Sequence, residues 1–325
     1  MNVKLVLKVV SLVLGSVVLL GAGFYGWASM ASSSKLAGVY ETHSASFPIP
    51  FPLTETELAD LGIESDPGGN IALERAVERG EHLINARYGC RECHGQNFAG
   101  GVMVDAFPIG SLLGPNITLG EGSKTAAYTA RDWDRIVRHG VKPDGTPATM
   151  PSVEFQLMSD QELSDIVAYI RSQPPMYAEV PAPTLGPLGK LLVATGQIPL
   201  SAEMIPSHQE PHVTYPPAAT VSVEFGRHLS GVCMGCHGES FAGGPIPGGD
   251  PSWGPAGNLT PHADGLAGWT FDQFRTALTE GVRPDGTALL PPMTFVLPVG
   301  ENMTDVEMEA LWTFLQSLPA TPAPN

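Results

Sequence analysis

The chain has few basic residues, with 17 Lys and Arg against 33 Asp and Glu in 325 residues and a formal net charge of −16. Nucleic acids are bound through basic surfaces that neutralise phosphates, so this composition excludes a nucleic-acid-binding role. Cysteine is also scarce: there are four, and all of them lie in two Cys-x-x-Cys-His motifs. The sequence therefore leaves no cysteine for a disulfide. The acidic charge favours a partner with a basic docking patch.

The two cysteine motifs are residues 90–94 (CRECH) and 233–237 (CMGCH). Cysteine pairs at this spacing also form zinc half-sites, but these pairs lie 143 residues apart and each is followed directly by histidine. Cys-x-x-Cys-His is the attachment signature of haem c, in which both thiols bond the haem and the histidine binds its iron. The sequence thus predicts two covalent haem c groups, with thioethers from Cys90, Cys93, Cys233 and Cys236 and iron ligands His94 and His237.

An uncharged run of 19 residues, Val9 to Trp27, follows Lys4 and Lys8 near the N-terminus. As a helix it would extend about 28 Å, close to the roughly 30 Å hydrocarbon core of a bilayer. A cleaved signal peptide is the alternative, but the run exceeds the usual apolar region of such peptides. We predict that residues 1–31 are an uncleaved single-pass anchor in the bacterial inner membrane. The lysines place the N-terminus in the cytoplasm and the haem domains on the periplasmic side.

The remaining sequence is an internal duplication. Four landmarks recur in the same order: residues 98–101 as 241–244, 116–118 as 258–260, 140–146 as 281–287 and 158–160 as 303–305. Proline-rich stretches separate the two copies from each other and from the anchor. The predicted divisions are an extended linker at 32–70, a first domain at 71–175, a Pro-rich linker at 176–217, a second domain at 218–320 and a tail at 321–325.

Each copy has helical signals. A middle helix ends at Gly140 or Gly281, and the closing helix begins with a capping box, Ser159-x-x-Glu or Thr304-x-x-Glu. Gly80 and Gly226 resemble the small residue at which the opening helix of related domains crosses the closing one, and we expect the same crossing here. No segment alternates convincingly as a strand. The sequence therefore predicts an all-α fold of two tandem domains after a transmembrane helix.

Two methionine pairs compete for the sixth position on each iron. Met158 and Met303 directly precede the N-cap of a closing helix, which is the geometry of a hydrophobic staple. Met150 and Met293 each lie 60 residues after the first motif cysteine, in a proline-marked loop. A loop can place a thioether over the far face of the haem, so we predict Met150 and Met293 as axial ligands. The alternative is that they cover the haem edge without bonding iron.

The histidines outside the motifs have simpler interpretations. His82 and His228 recur on the opening helices, and we predict surface or haem-edge positions for them. The others have no counterpart in the other copy and are expected to be solvated: His43, His139, His208, His212 and His262.

The series Cys-x-x-Cys-His, Gly-Pro-Asn, Asp-Gly-Thr and a methionine beside proline resembles class I cytochrome c in both copies. It is also similar to the cytochrome subunits of bacterial membrane-bound sugar and alcohol dehydrogenases, which often carry three haem motifs where this chain has two. The resemblance implies that Pro115 accepts a hydrogen bond from the haem-ligating histidine. In the second copy Pro255 is displaced by two residues and is a weaker counterpart.

These expectations lead to an electron-transfer protein rather than an enzyme. A thioether opposite imidazole raises the potential of the iron, which suits acceptance of electrons from a quinol-oxidising complex or a dehydrogenase. The acceptor would be another cytochrome or a terminal oxidase. One alternative is a cytochrome subunit of a membrane-bound dehydrogenase complex. A di-haem peroxidase is a further alternative, but it requires one haem with a displaceable ligand and a nearby acid or base.

Overall fold

The computed structural model describes residues 3–250 and 252–324. Helices account for most of its regular structure, joined by long loops. The helices are α1 (Val3–Leu36), α2 (Glu55–Leu61), α3 (Asn70–Leu83), α4 (Cys90–His94), α5 (Ala130–Arg138), α6 (Asp160–Ser172), α7 (Pro187–Ala194), α8 (Ser201–Met204), α9 (Val223–Leu229), α10 (Met234–His237), α11 (Phe271–Glu280), α12 (Leu297–Asn302) and α13 (Asp305–Ser317). The strands are β1 (Gly101–Ala106), β2 (Gly110–Gly114) and β3 (Thr184–Leu185).

Helix α1 is a candidate membrane span, long and apolar enough to cross a bilayer. Its apolar side chains are exposed over the first two thirds of its length, whereas Ala28 and Ser32 near its end are buried at 1% exposure each. This end packs against α7, whose Lys190 donates to the Ser29 hydroxyl at 3.3 Å. Lys35 pairs with Glu203 at 2.9 Å. The helix therefore leaves the proposed membrane region in contact with the rest of the protein.

The two copies share one packing arrangement, in which α3 crosses α6 and α9 crosses α13. A Cβ on Gly80 would collide with the main-chain carbonyl of Asp165, and a Cβ on Gly226 with that of Ala310. Only glycine lets each pair of helices approach this closely, which confirms the expected crossing points. Both predicted capping boxes of the closing helices are also present.

A small sheet departs from the all-α prediction. β1 and β2 form an antiparallel hairpin, and β3 from the interdomain linker pairs with β2. Neither face of β1 is buried, so its sequence has no apolar–polar alternation that would mark it as a strand. The prediction missed this sheet because β1 is exposed or half-buried throughout and β2 is half-buried along most of its length, while the helical prediction for the two cores agrees with the structure.

Both linkers pack against the first domain. Phe47 and Phe51, in the segment expected to extend freely, are 9% and 5% exposed and join the first core. The main-chain N–H of Asp160 donates to the Val213 carbonyl at 2.9 Å, which fixes the interdomain linker to the start of α6. The two segments thus cover one face of the first domain and enclose polar side chains between themselves and α5.

Candidate haem sites

His94 lies at the end of α4, directly after the two cysteines of its motif. Its Nδ1 is 2.9 Å from the carbonyl oxygen of Pro115. A carbonyl only accepts hydrogen bonds, so the ring donates from Nδ1 and its Nε2 keeps a lone pair. Burial lowers the pKa of His94, although the Pro115 carbonyl partly opposes this. The result is a neutral, oriented imidazole able to bind a metal through Nε2.

His237 has the same arrangement with a different partner. Its Nδ1 is 2.7 Å from the carbonyl oxygen of Gly257, and burial lowers its pKa. The two-residue insertion removes Pro255 from the position occupied by Pro115 in the first copy. What the copies share is the carbonyl of the residue before an Asn-x-Thr sequence, whatever that residue is.

The Asn-x-Thr sequences explain why this carbonyl is held in place. Asn116 Oδ1 accepts hydrogen bonds from the Thr118 main chain at 3.0 Å and its hydroxyl at 2.8 Å. Asn258 Oδ1 accepts the corresponding two bonds from Thr260, both at 2.8 Å. Asn116 is fully buried and Asn258 is 6% exposed. These sequences are therefore turn structures beside the ligating histidines, and their similarity to glycosylation sequons is incidental.

The motif cysteines lie in apolar surroundings. Burial, with a smaller contribution from the neighbouring cysteine, raises the pKa of Cys90 to about 12. Burial also raises the pKa of Cys233 to about 12, with Glu154 and then Cys236 adding to the effect. Such thiols are protonated at neutral pH and are poor free nucleophiles or zinc ligands. The setting suits thioether bonds to an apolar macrocycle.

The residues present fit haem c in each domain: two thiols, a histidine with a free Nε2 and adjoining apolar side chains. In the first domain Tyr88, Cys90, Tyr128 and Met150 border the core. Trp133 Nε1 is buried without a hydrogen-bond partner among the described residues. A buried indole N–H normally has a partner, so this donor is available to a polar group of a bound ligand.

The two methionine pairs have different positions. Met158 is 2% exposed within the first core and Met303 packs against the second, as expected for staple residues. Met150 is half-buried against the first core. Met293 is half-buried at the start of the 3-10 turn Met293–Val296. Their binding to iron stays a prediction.

The domains meet through a reciprocal set of ion pairs. His82 Nε2 of the first domain lies 2.9 Å from the Glu307 carboxylate of the second. His228 Nε2 of the second lies 2.8 Å from Glu162 of the first. Arg87 joins both carboxylates, at 2.7 Å each. His82 and His228 are thus interface residues, and each pairs with the capping-box glutamate of the opposite domain.

The interface also brings the two haem motifs close together. A Cβ on Gly235, inside the second motif, would collide with the carboxylate of Glu154 from the first domain. The same carboxylate raises the pKa of Cys93 and Cys236, after the larger effect of burial. Burial raises the pKa of Glu154 itself to about 7. One half-buried carboxyl group therefore lies between the two attachment motifs.

Comparison with known protein families matches each copy to a family model. Residues 75–170 match the family model "Cytochrome C oxidase, cbb3-type, subunit III", and residues 223–319 match the model "Cytochrome c". Both copies are cytochrome c domains. The recurring landmarks of the sequence are thus those of two cytochrome c domains in one chain.

Curated relatives extend over most of the chain. It is 30% identical over 296 residues to the gluconate 2-dehydrogenase cytochrome c subunit of Pantoea cypripedii, covering 80% of this chain and 62% of the relative. It is 28% identical over 299 residues to the alcohol dehydrogenase (quinone) cytochrome c subunit of Gluconacetobacter polyoxogenes, covering 82% and 60%. A diheme cytochrome c-type protein of Cereibacter sphaeroides is 24% identical over 283 residues, covering 79% and 91%. The chain spans about three fifths of the length of the two dehydrogenase subunits.

Proposed function

We propose that this cytochrome carries single electrons between a membrane-associated donor and a downstream acceptor through two haem c groups. The observation that carries the proposal is that His94 and His237 have the same hydrogen-bonding arrangement. Each follows its motif cysteines, donates from Nδ1 to a main-chain carbonyl and leaves Nε2 free. Haem supplies reversible one-electron chemistry at its iron when it is bound.

We further propose Met150 and Met293 as the second axial ligands. Their support is the equal spacing from the motif cysteines and the half-buried loop position in both domains. If both residues of each His/Met pair held the iron, it would have no position open to a small-molecule substrate. This arrangement favours a carrier over a peroxidase, and the purified protein is expected to turn over no peroxide.

The domain interface supports electron transfer between the two sites within one chain. The attachment motifs lie on either side of Glu154, and the ion pairs of Arg87 hold the domains together. We propose the division predicted from the sequence, with domains at 71–175 and 218–320.

The names of the relatives favour a dehydrogenase as the electron donor, with a quinol-oxidising complex as the second candidate. In this proposal α1 anchors the chain in the inner membrane and the haem domains lie in the periplasm, where they meet an acceptor cytochrome or terminal oxidase. Affinity purification of the anchored chain tests the donor. A co-purifying flavoprotein or quinoprotein subunit supports a dehydrogenase complex, and recovery of the cytochrome alone supports a free carrier.

Potentiometric titration of the purified protein tests the carrier function. We expect two one-electron transitions and low-spin spectra in both oxidation states. Peroxide turnover, or a high-spin component in the oxidised protein, would contradict the carrier assignment for that haem.

A further inference from the structure

Four side chains that the haem sites do not use meet beside the first domain. His43 comes from the segment after α1, Asp134 from α5, His139 from the residue after α5, and His212 from the interdomain linker. One potential ligand atom from each lies within 4.8 Å of all the others. Asp134 and His139 are fully buried. The expectation that these histidines are solvated was wrong, because both linkers fold over them.

The distances from the three imidazoles to the carboxylate suit ligands of a shared ion better than hydrogen bonds, and the one contact between two imidazoles is short enough for either. The Nε2 atoms of His43, His139 and His212 lie 3.7, 3.6 and 3.7 Å from the Asp134 carboxylate. These separations exceed hydrogen-bond length. His139 Nε2 and His212 Nε2 are 3.2 Å apart. Two ligands of a tetrahedral ion with bonds of about 2.0–2.1 Å are separated by roughly 3.4 Å, within the range of these distances.

A chain of hydrogen bonds orients His139 toward the cluster. His208 Nε2 lies 3.0 Å from the carbonyl of Ala202, so this nitrogen donates. In the neutral ring, His208 Nδ1 is then the acceptor for His139 Nδ1, 3.1 Å away. His139 consequently presents the lone pair of Nε2 to the cluster. A donor hydrogen bond from the outer nitrogen is the usual support of a metal-binding histidine.

Two atoms at the cluster have unmet bonding capacity. Asp134 Oδ2 and His43 Nδ1 are buried without a hydrogen-bond partner among the described residues. Asp134 Oδ1 is occupied by Arg138, which also pairs with Asp160 at 2.8 Å. Two carboxylates thus share one guanidinium, and a net negative charge remains. A buried carboxylate oxygen without a partner is unfavourable, and a cation would satisfy it.

We propose that His43, Asp134, His139 and His212 bind one divalent transition-metal ion of the zinc class. Three imidazoles and one carboxylate suit Zn²⁺ and its first-row neighbours, whereas Mg²⁺ and Ca²⁺ require mainly oxygen ligands. With four protein ligands the site is closed and structural. The ion joins the segment after the membrane helix, the first domain and the interdomain linker. It adds a cross-link to segments already paired through the His43 main chain and the His208 carbonyl at 2.8 Å.

The test uses the full, haem-loaded chain in detergent, stripped with a chelator and then equilibrated with Zn²⁺. Elemental analysis is expected to find one zinc per chain, and thermal unfolding should occur at a higher temperature with zinc than without it. His212→Gln should bind zinc at least tenfold more weakly, because it removes one ligand from the linker. The matched control is His262→Gln, which changes a partly exposed histidine of the second domain and should bind as the wild type does.

The haem spectrum reports whether each variant is folded. If His212→Gln does not fold, His43→Gln is the second ligand variant, with the same expected loss. Ni²⁺ or Co²⁺ binding that shows the same loss also supports the site. Absence of stoichiometric binding in the wild type, or equal binding by the ligand variants and His262→Gln, would overturn it. Equal stabilisation by Mg²⁺ would also contradict the donor set.

Discussion

The two cytochrome c domains are built on one template but differ in what covers their methionine loops. In the first domain Ser201 from α8 donates to the Met150 carbonyl at 2.9 Å, so the linker fastens the loop. In the second, Leu290 and Phe295 beside Met293 are 68% and 57% exposed. The two loops keep the same spacing from their motif cysteines, but the linker packs only against the first. We therefore expect the first haem to be the more insulated site and the second to be the more accessible one.

Replacement of the methionines gives the largest expected effect. Met150→Ala and Met293→Ala should each lower one haem potential by on the order of 0.1–0.3 V, within the roughly 0.8 V range that axial ligands control. The other potential should stay nearly unchanged. Potentiometric titration of each variant measures both. A variant with two unchanged potentials would show that its methionine only covers the haem edge.

Adding a methyl group at the helix crossings tests whether the two domains pack equivalently. Gly80→Ala and Gly226→Ala should each destabilise the protein by about 3 kcal/mol, because the new Cβ meets main-chain atoms that have no room to move. Gly254→Ala is the matched control, since its Cβ would meet no atom within 4 Å. Denaturant unfolding followed by circular dichroism measures the change. Equal stability of the three variants would contradict the close crossings.

The domain interface should weaken in acid. Burial raises the pKa of Glu307, but hydrogen bonding to His82 and the charge of Arg87 outweigh it and lower the pKa to about 2. Because the folded pKa lies below the ordinary value of 4.5, the ionised carboxylate stabilises the folded protein above pH 4.5. That contribution, about 2 kcal/mol after allowance for solvent screening, is lost as the pH falls toward 2.

Glu307→Gln should remove this stabilisation at pH 7 and flatten the acid dependence of the unfolding free energy. Glu309 lies two residues further along α13 and is exposed. Glu309→Gln should therefore leave the stability at pH 7 and its acid dependence unchanged. Identical pH profiles for Glu307→Gln and the wild type would exclude the interface ion pairs as the source of the acid dependence.

Loss of the loop anchor in the first domain should have the smallest effect. Ser201→Ala removes one hydrogen bond to Met150 and should cost about 1 kcal/mol. Because the loss of this bond loosens the loop, the near-infrared band of methionine-bound ferric iron should weaken in the variant, and for the first haem only. An unchanged band and unchanged stability would remove the proposed basis of the difference between the loops.

Local signals in the sequence were sufficient to predict much of the fold. The capping boxes, the helix-ending glycines and the glycine at each crossing act within one repeat, so duplication made them visible twice. The hairpin β1–β2 was missed because β1 is exposed or half-buried throughout and β2 is half-buried along most of its length, so neither strand alternates between a buried and an exposed face. The carbonyl partner of His237 was missed because its role belongs to a main-chain position that the insertion transferred to Gly257.

Contacts between segments distant in the chain could not be predicted from the sequence. His82 pairs with Glu307 across the repeats, and no spacing within either repeat indicates this. His43 and His212 meet only because both linkers fold onto the same face of the first domain. The sequence predicts solvated positions for His43, His139 and His212 because they have no counterpart in the other repeat, whereas their burial reflects linker packing that only the first domain has.

Near-infrared magnetic circular dichroism of the oxidised wild-type protein tests the central proposal most directly, because the band of methionine-bound ferric haem can be quantified per haem. The proposal predicts the intensity of two low-spin His/Met haems per chain, halved in Met150→Ala and in Met293→Ala. A wild-type intensity of one haem or none, or a high-spin signal, would contradict it.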